Sequence, residues 1–200
     1  MNPGLLIVVS GPAGVGKGTV VSLVRERDRD VVFSVSATSR SPRPGEIDGV
    51  NYFFITREKF QEMIRDNEML EWVEYCGNYY GTPRAYVEDE LRKGKIVLLE
   101  IDVEGAMNIK RQYPQCVSVF IMPPTMEELR DRITKRGTET PEVIEARLKR
   151  AENEMQHSAE YDYIIVNQTV EEAANRFLEI IRQKREQLQR RHQALNEERN

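Results

Sequence analysis

The sequence is poor in cysteine and histidine. Its two cysteines, Cys76 and Cys116, make neither a disulfide framework nor a zinc-ligand spacing, so we expect two reduced, partly buried thiols. The two histidines, His157 and His192, have no partner at a metal-ligand spacing. These shortages exclude a disulfide-rich secreted domain, and they argue against a histidine-based metal or catalytic site.

Long hydrophobic runs are also missing. Apolar segments such as residues 5–9 and 96–99 fall far short of the ~20 residues that span a bilayer. Residues 1–4 lack the basic segment and cleavage site of a signal peptide. We therefore expect a cytoplasmic protein without membrane partners. The formal net charge of −4 argues against bulk nucleic-acid binding, which needs a basic field, but allows a local arginine pocket.

Strand and helix patterns alternate along most of the chain. Short apolar, β-branched runs predict buried strands at residues 5–9, 31–35, 95–102, 117–121 and 163–166. Residues between these runs show helical spacing, which favours parallel strands joined by crossover helices. The predicted fold class is α/β, with a parallel sheet core flanked by helices.

Residues 36–92 interrupt this alternation. A proline-rich stretch precedes predicted strands at residues 52–56 and 70–75 with a short helix between them, which indicates a small α+β insertion. Further on, Thr125 opens a capping box and Thr140 precedes a proline, so two helices are predicted over residues 125–155. The predicted units are a core (1–35, 93–124 and 156–200), an insertion (36–92) and a helical pair (125–155).

The strongest local signal is a phosphate loop between the first predicted strand and helix. It reads G-P-A-G-V-G-K-G-T over residues 11–19. Its backbone N–H groups and the helix N-terminus suit phosphate oxygens, and Lys17 supplies a charge for the β- and γ-phosphates. Gly18 stands where a hydroxyl ligand of Mg²⁺ is usual, and Thr19 is the alternative. The predicted triphosphate-binding residues are Gly11, Pro12, Ala13, Gly14, Val15, Gly16, Lys17, Gly18 and Thr19.

The insertion carries residues suited to an acceptor nucleotide. Arg40 and Arg43 lie three apart in a proline-stiffened loop, and guanidinium groups bind phosphate oxygens in a bidentate fork. The Glu71 carboxylate matches the two adjacent N–H donors on one edge of guanine, and Thr82 suits the oxygen beside them. Taken singly, each of these residues also fits an ordinary solvated or packed position.

Together these motifs resemble the guanylate kinase family over about residues 5–170. The resemblance rests on the phosphate loop and on S-x-T-x-R-x-P-R-x-G-E (36–46), L-E-W (70–72), G-N-Y-Y-G-T (77–82), L-E-I-D (99–102) and R-G-T-E-T (136–140). It implies Mg²⁺-dependent transfer of the γ-phosphoryl group of ATP to GMP, with dGMP as a second acceptor. It also implies that the insertion is the GMP-binding region and that the helical pair is a lid.

The resemblance further implies roles for individual residues. Arg132 and Asn167 join the phosphate loop in ATP binding. No residue is assigned firmly to the metal, since nucleotide and water hold Mg²⁺, with Thr19 and Asp102 as candidate ligands. The implied catalytic residues are Lys17, Arg43, Arg136 and Arg147. The implied GMP-binding residues are Ser36, Arg40, Arg43, Glu46, Tyr52, Glu71, Tyr80, Thr82, Glu100 and Asp102.

The sequence departs from the family pattern at a few of these places. Ala13 replaces a common serine and Ser39 a common threonine. Glu100 replaces a common aspartate, which keeps the charge and lengthens its reach. Gln168 follows Asn167 where an aspartate is common. None of these changes removes a charge that the chemistry needs.

Three other functions stay open on the sequence alone. A kinase for AMP, CMP or UMP shares the loop and lid, and the pair Glu71 and Thr82 discriminates against it. Guanylate-kinase-like domains that bind phosphopeptides typically lack an intact loop and the lid arginines, which this chain has. A simple ATPase switch would not need the acceptor insertion. The predicted partners are the nucleotides ATP and GMP. The protein itself is expected to be a monomer or a homodimer.

Overall fold

The structure is a computed structural model that describes residues 3–135 and 140–197. Its strands are β1 (Leu5–Ser10), β2 (Val31–Phe33), β3 (Ala37–Thr38), β4 (Phe53–Phe54), β5 (Met69–Tyr75), β6 (Asn78–Pro83), β7 (Ile96–Glu100), β8 (Val117–Met122) and β9 (Tyr163–Val166). Its helices are α1 (Lys17–Arg27), α2 (Arg57–Arg65), α3 (Arg84–Arg92), α4 (Val103–Gln112), α5 (Met126–Thr134), α6 (Pro141–Gln156) and α7 (Val170–Glu197). A short 3-10 helix follows α6 at His157–Glu160.

A parallel sheet forms the core of the described residues, with its five strands in the order β2-β7-β1-β8-β9. Successive side chains of the central strand β1 point to opposite faces. Ile7 and Val9 pack with Phe177 of α7 on one face, while Val8 packs with Ile109 of α4 on the other. Because helices cover both faces, β1 is buried throughout, as its unbroken apolar sequence predicts. The predicted α/β class is confirmed.

This topology places the loops that follow the strands along one edge. Parallel strands end on the same side of a sheet, and ligands of such folds bind beyond those carboxyl ends. The phosphate loop follows β1, Asp102 follows β7 and Asn167 follows β9. The core therefore brings together three segments that are far apart in the sequence.

The insertion forms a second sheet, in the order β4-β3-β6-β5. Helix α2 covers it through Phe60, whose ring stacks on Tyr79 with centroids 5.2 Å apart. The predicted strand at residues 52–56 is reduced to β4, because the Thr56 side chain accepts a hydrogen bond from the Lys59 N–H and caps α2. Sequence patterns missed β3 and β6, which pair with each other in this sheet.

The predicted helical pair is present as α5 and α6. Thr125 caps α5 by accepting a hydrogen bond from the Glu128 N–H at 3.1 Å, and Pro141 begins α6. Helix α5 ends at Thr134, and residues 136–139 between the two helices lie outside the described residues. The division of the chain into core, insertion and helical pair stays a prediction.

The polar tail after residue 182 continues α7 as a helix to Glu197. Arg185 anchors part of it by ion pairs with Asp28 at 3.4 Å and Asp30 at 2.9 Å.

Both cysteines are free thiols. Cys116 is buried, but Cys76 is exposed at the turn between β5 and β6, so its predicted partial burial is wrong. Within the part of the chain that the structure describes, no helix has the length and apolar character to cross a bilayer.

We expect Phe177→Ala to lower the free energy of unfolding by about 3–5 kcal/mol, because it leaves a cavity in the core. Phe177 is completely buried between α7 and the central sheet. Phe53→Ala is the matched control, since Phe53 is 42% exposed, and its loss should stay below ~1 kcal/mol. Urea denaturation measures both variants, and equal losses would contradict this account of the core.

Candidate active site

The phosphate loop turns sharply between β1 and α1. Gly16 adopts φ = 94°, in the left-handed region that glycine tolerates best. A Cβ atom at this position would lie 2.7 Å from the Asn167 side-chain nitrogen. Gly16 therefore permits both the turn and the close approach of Asn167. Helix α1 begins at Lys17, so its free N–H groups face the loop.

Asn167 and Arg132 hold the loop from the other side. The Asn167 side chain donates to the Val15 carbonyl at 2.7 Å, and Arg132 donates to the same carbonyl at 3.3 Å. Arg132 also donates to the Asn167 carbonyl at 2.9 Å. The structure thus gives both residues a role in positioning the loop that sequence reasoning missed. The Asn167 side-chain oxygen is buried with no hydrogen-bond partner among the described residues.

Lys17 lies in the cleft, where it donates to the Gly11 and Pro12 carbonyls at 2.5 and 3.3 Å. Burial lowers the pKa of Lys17, while the nearby carboxylates of Glu100 and Glu154 oppose that shift. Conversely, burial raises the pKa of Glu100 and Lys17 opposes that rise. Since each charge reduces the cost of burying the other, Lys17 and Glu100 act as an electrostatic pair.

A cavity of about 160 Å³ lies between the insertion and the end of β7, and we call it the acceptor cavity. It brings together six of the predicted GMP-binding residues: Ser36, Tyr52, Glu71, Tyr80, Glu100 and Asp102. Further lining residues went unpredicted: Val73, Tyr75, Gly81, Ile101 and Arg150. The alternation of residues 71, 73 and 75 along β5 is the signal that would have placed Val73 and Tyr75 beside Glu71.

Glu71 carries a buried carboxyl group into this cavity. Burial raises its pKa from 4.5 to about 7, the neighbouring Asp102 adds to the rise, and a hydrogen bond from Thr82 opposes it. The Thr82 hydroxyl donates to Glu71 Oε1 at 2.7 Å. Gly105 of α4 passes so close that a Cβ atom there would lie 2.8 Å from Glu71 Oε2. Thr82 therefore contributes to the site indirectly, by its hydrogen bond to Glu71.

Arg40, Arg43 and Glu46 form a separate cluster in the loop after β3. Arg40 donates to both Glu46 carboxylate oxygens at 2.9 Å, and the Arg43 N–H donates to Glu46 at 2.7 Å. These bonds, led by the one from Arg40, lower the pKa of Glu46 to about 2. The Arg40 guanidinium lies 5.6 Å from the Tyr52 ring, and Tyr52 contacts Tyr80 with ring centroids 6.1 Å apart. The cluster thus adjoins the acceptor cavity, and Glu46 acts by orienting Arg40.

The structure shows the exposure and contacts of most of the remaining predicted residues. Arg147 is half-buried on α6, whereas Arg136 lies outside the described residues. Thr19 is exposed in the first turn of α1. One oxygen of Asp102 caps α4 by accepting from the Gly105 N–H at 2.8 Å. No group of three His, Cys, Asp or Glu side chains suited to a metal ion occurs in residues 3–135 and 140–197.

A phosphate loop that shares a cleft with a second cavity lined by carboxyl groups defines a phosphotransferase of the nucleoside monophosphate kinase class. The model of the guanylate kinase family matches residues 4–184. The chain therefore belongs to the guanylate kinase family.

Individual relatives agree with this assignment. A guanylate kinase of Halalkalibacterium halodurans is 53% identical over 178 residues, covering 89% of this chain and 87% of that protein. One of Bacillus subtilis is 50% identical over 179 residues, covering 89% and 88%. The crystal structure of guanylate kinase from Anaplasma phagocytophilum has a TM-score of 0.77 at 39% identity, covering 92% of this chain and 87% of that one.

We expect Glu71→Gln to stabilise the protein increasingly as pH rises from about 4.5 to 7, the interval between the ordinary and raised pKa values of Glu71. Below this window the carboxyl is neutral in both states. Within it the unfolded chain ionises first, so the wild type loses stability. The full difference above pH 7 is roughly 3 kcal/mol, from 1.36 kcal/mol for each pKa unit.

Urea denaturation of both proteins at several pH values measures this difference. Glu74→Gln is the control, because Glu74 lies on the same strand with an exposed side chain. Its difference from wild type should stay within ~1 kcal/mol at every pH. A constant difference for Glu71→Gln would contradict the raised pKa of Glu71.

Proposed function

We propose that this protein transfers the γ-phosphoryl group of ATP to GMP, with the acceptor nucleotide bound in the acceptor cavity. The observation that carries the proposal is the position of Glu71. The Glu71 residue is only 5% exposed, and its carboxyl group accepts a hydrogen bond from the Thr82 hydroxyl at 2.7 Å. Guanine offers two adjacent N–H donors to such a carboxylate, whereas the corresponding edge of adenine does not. A base without those donors would leave a buried carboxylate unpaired.

The acceptor phosphate is proposed to bind Arg40, Arg43, Tyr52 and Tyr80. Arg40 is already oriented by Glu46 and by the ring of Tyr52. A guanidinium held in this way loses little freedom on binding, which favours a phosphate at the same place. Ser36 lines the cavity near Glu71 and is proposed to contact the guanine with it.

The triphosphate is proposed to lie along the phosphate loop. The loop N–H groups and the N-terminus of α1 supply donors, and Lys17 supplies the charge. Asn167 and Arg132 keep the loop in place through the Val15 carbonyl. Arg147 projects from α6, and with Arg136 it is proposed to neutralise charge on the migrating group.

Little covalent chemistry is required of the protein in this reaction. The acceptor phosphate is already an anion near neutral pH, so its attack needs no strong general base. Catalysis then depends on alignment of the two nucleotides and on neutralisation of charge by Lys17, Arg43 and the lid arginines. Closure of the lid would exclude water, which protects ATP from hydrolysis.

Mg²⁺ is proposed as the cofactor, and the donor set fits it. Hard oxygen ligands suit this ion, and it usually keeps several waters beside one or two carboxylates and the substrate phosphates. Glu100 and Asp102 supply carboxylates in the acceptor cavity, and Thr19 supplies a hydroxyl on α1. The ion would neutralise charge on the phosphates. A Cβ atom at Gly18 would lie 3.8 Å from Glu100 Oε2, so this carboxylate faces the place of the missing hydroxyl.

The direct test is ADP release from Mg-ATP with GMP, dGMP, AMP, CMP or UMP as acceptor, or with none. We expect release with GMP and dGMP only. Release driven by another monophosphate would overturn the proposed specificity, and no release from folded protein would overturn the reaction. Arg43→Met is the matched variant, and it should fold normally while losing roughly 10³-fold in turnover.

A second prediction concerns the pair formed by Gly18 and Glu100. We expect Glu100→Asp to weaken Mg²⁺-dependent binding of a non-hydrolysable ATP analogue about tenfold, because the shorter side chain withdraws its carboxylate from the space beside Gly18. Adding Gly18→Ser supplies a hydroxyl there, and its backbone accepts a side chain without strain. The double variant should regain most of the loss.

Isothermal titration at several Mg²⁺ concentrations measures this effect without depending on turnover. Titrations without Mg²⁺ are the control, and all the variants should agree there within about twofold. If Glu100→Asp binds like wild type, or if Gly18→Ser restores nothing, then Glu100 does not compensate for the missing hydroxyl.

A further inference from the structure

Arg150 of the lid helix α6 contacts the insertion directly. Its guanidinium carbon lies 4.2 Å from the centroid of the Tyr75 ring, at the end of β5. The same guanidinium donates through Nε to Glu154 Oε1 at 2.7 Å. A planar, charged group can stack on a ring and donate in its own plane at once, which a lysine ammonium cannot do. Arg150 is therefore held in a defined orientation between α6 and β5.

Both partners face the acceptor cavity. Arg150 and Tyr75 line it together with Glu71 and Asp102. Along β5 the side chains alternate, so Glu71 and Tyr75 point to the same side, while Trp72 is exposed on the other side. The contact between Arg150 and Tyr75 is thus part of the cavity wall that also carries the Glu71 carboxyl group, which is predicted to bind guanine.

Helix α6 connects this wall to the other half of the cleft. Arg147 and Arg150 are three residues apart, and such residues are neighbours on a helix surface. An adjacent face of α6 packs on the core through Leu148 and Ala151, which are 4% and 1% exposed. One rigid helix therefore carries Arg147, proposed to face the ATP phosphates, and Arg150, which contacts β5.

We propose that Arg150 and Tyr75 form a clasp that couples GMP binding to ATP binding. The inference rests on the proposed function, since it takes GMP as the ligand of β5 and ATP as the ligand of the phosphate loop. Guanine binding at Glu71 displaces strand β5, and Tyr75 on the same strand transmits that displacement to Arg150. Helix α6 then moves Arg147 with it. Arg150 is a positioning residue in this scheme, and the coupling is reciprocal by thermodynamic necessity.

The clasp predicts that the ligands strengthen each other's binding. The dissociation constant of GMP is measured by isothermal titration with and without a saturating non-hydrolysable ATP analogue, in the presence of Mg²⁺. In the wild type we expect the analogue to tighten GMP binding about fivefold or more. In Arg150→Ala and in Tyr75→Leu the ratio should fall below about twofold. Tyr75→Phe should keep the wild-type ratio, because it retains the ring that Arg150 contacts.

Arg130→Ala is the matched control. Arg130 is a lid arginine whose guanidinium pairs with Glu145 across α5 and α6, outside the acceptor cavity. This variant removes the same charge from the lid and should keep the wild-type ratio. An equal loss of coupling in Arg130→Ala would overturn the clasp in favour of a general effect of lid charge.

A double variant tests whether the two residues act as one unit. Arg150→Ala with Tyr75→Leu should weaken GMP binding no more than the stronger single variant, because either change alone already breaks the contact. Additive losses would show that the residues act separately and would overturn the clasp. Circular dichroism and melting curves identify any variant that does not fold. Tyr75→Leu, at a half-exposed position on the hairpin, then carries the test in place of Arg150→Ala.

The outcomes also separate the clasp from the proposed function. If the wild type binds both nucleotides and phosphorylates GMP while Arg150→Ala keeps full coupling, then the clasp alone is wrong. The same holds if the wild type shows no coupling at all. If the wild type binds no GMP, then the proposed function fails, and the clasp fails with it.

Discussion

The burial of one carboxyl group, that of Glu71, is the constraint on which the rest of this site depends. Glu71 is 5% exposed, and burial raises its pKa to about 7. In the free protein the group therefore holds a proton for part of the time near neutral pH, and the folded state bears a cost whenever it ionises. That cost is offset when a ligand presents donors to both oxygens. We propose that selectivity arises because a ligand without those donors leaves the cost in place.

The elements around Glu71 hold its carboxyl group in place. The second sheet buries Glu71 by pairing β5 with β6, and the Thr82 hydroxyl of β6 fixes one of its oxygens. Gly105 allows α4 to approach the other oxygen. Across the cleft, the parallel sheet places the half-buried Lys17 and Glu100 close enough that their charges oppose each other's pKa shifts. Lys17 and Glu100 are thus charges that are individually costly to bury and that stabilise each other.

Local signals in the sequence predicted the parts of the structure that depend on neighbouring residues. The phosphate loop, the buried strand before it and the Thr125 cap each reside within a few consecutive residues, so their geometry follows from local chemistry. The α/β class followed from the alternation of strands and helices. The family resemblance brought Glu71, Thr82 and Asp102 to one site, and the structure gathers Glu71 and Asp102 around one cavity with Thr82 bonded to Glu71.

Other features depend on contacts between distant residues and left no local signal. Strand β3 has two residues, too few for a pattern, and it exists because β4 and β6 pair with it. Asn167 meets the Val15 carbonyl across 152 positions of sequence, so its role in positioning the loop could not be inferred. The contact of Arg150 with Tyr75 likewise needs the packing of α6 beside the insertion.

The pKa of Glu71 itself is the most direct measure of the central claim. Carbon-13 NMR of the glutamate carboxyl groups, with Glu71→Gln to assign the signal, follows its titration with and without GMP. We predict a pKa near 7 in the free protein, as burial requires, and a pKa below about 5 with GMP bound, while AMP leaves it unchanged. An ordinary pKa in the free protein, or one that GMP does not lower, would contradict the account.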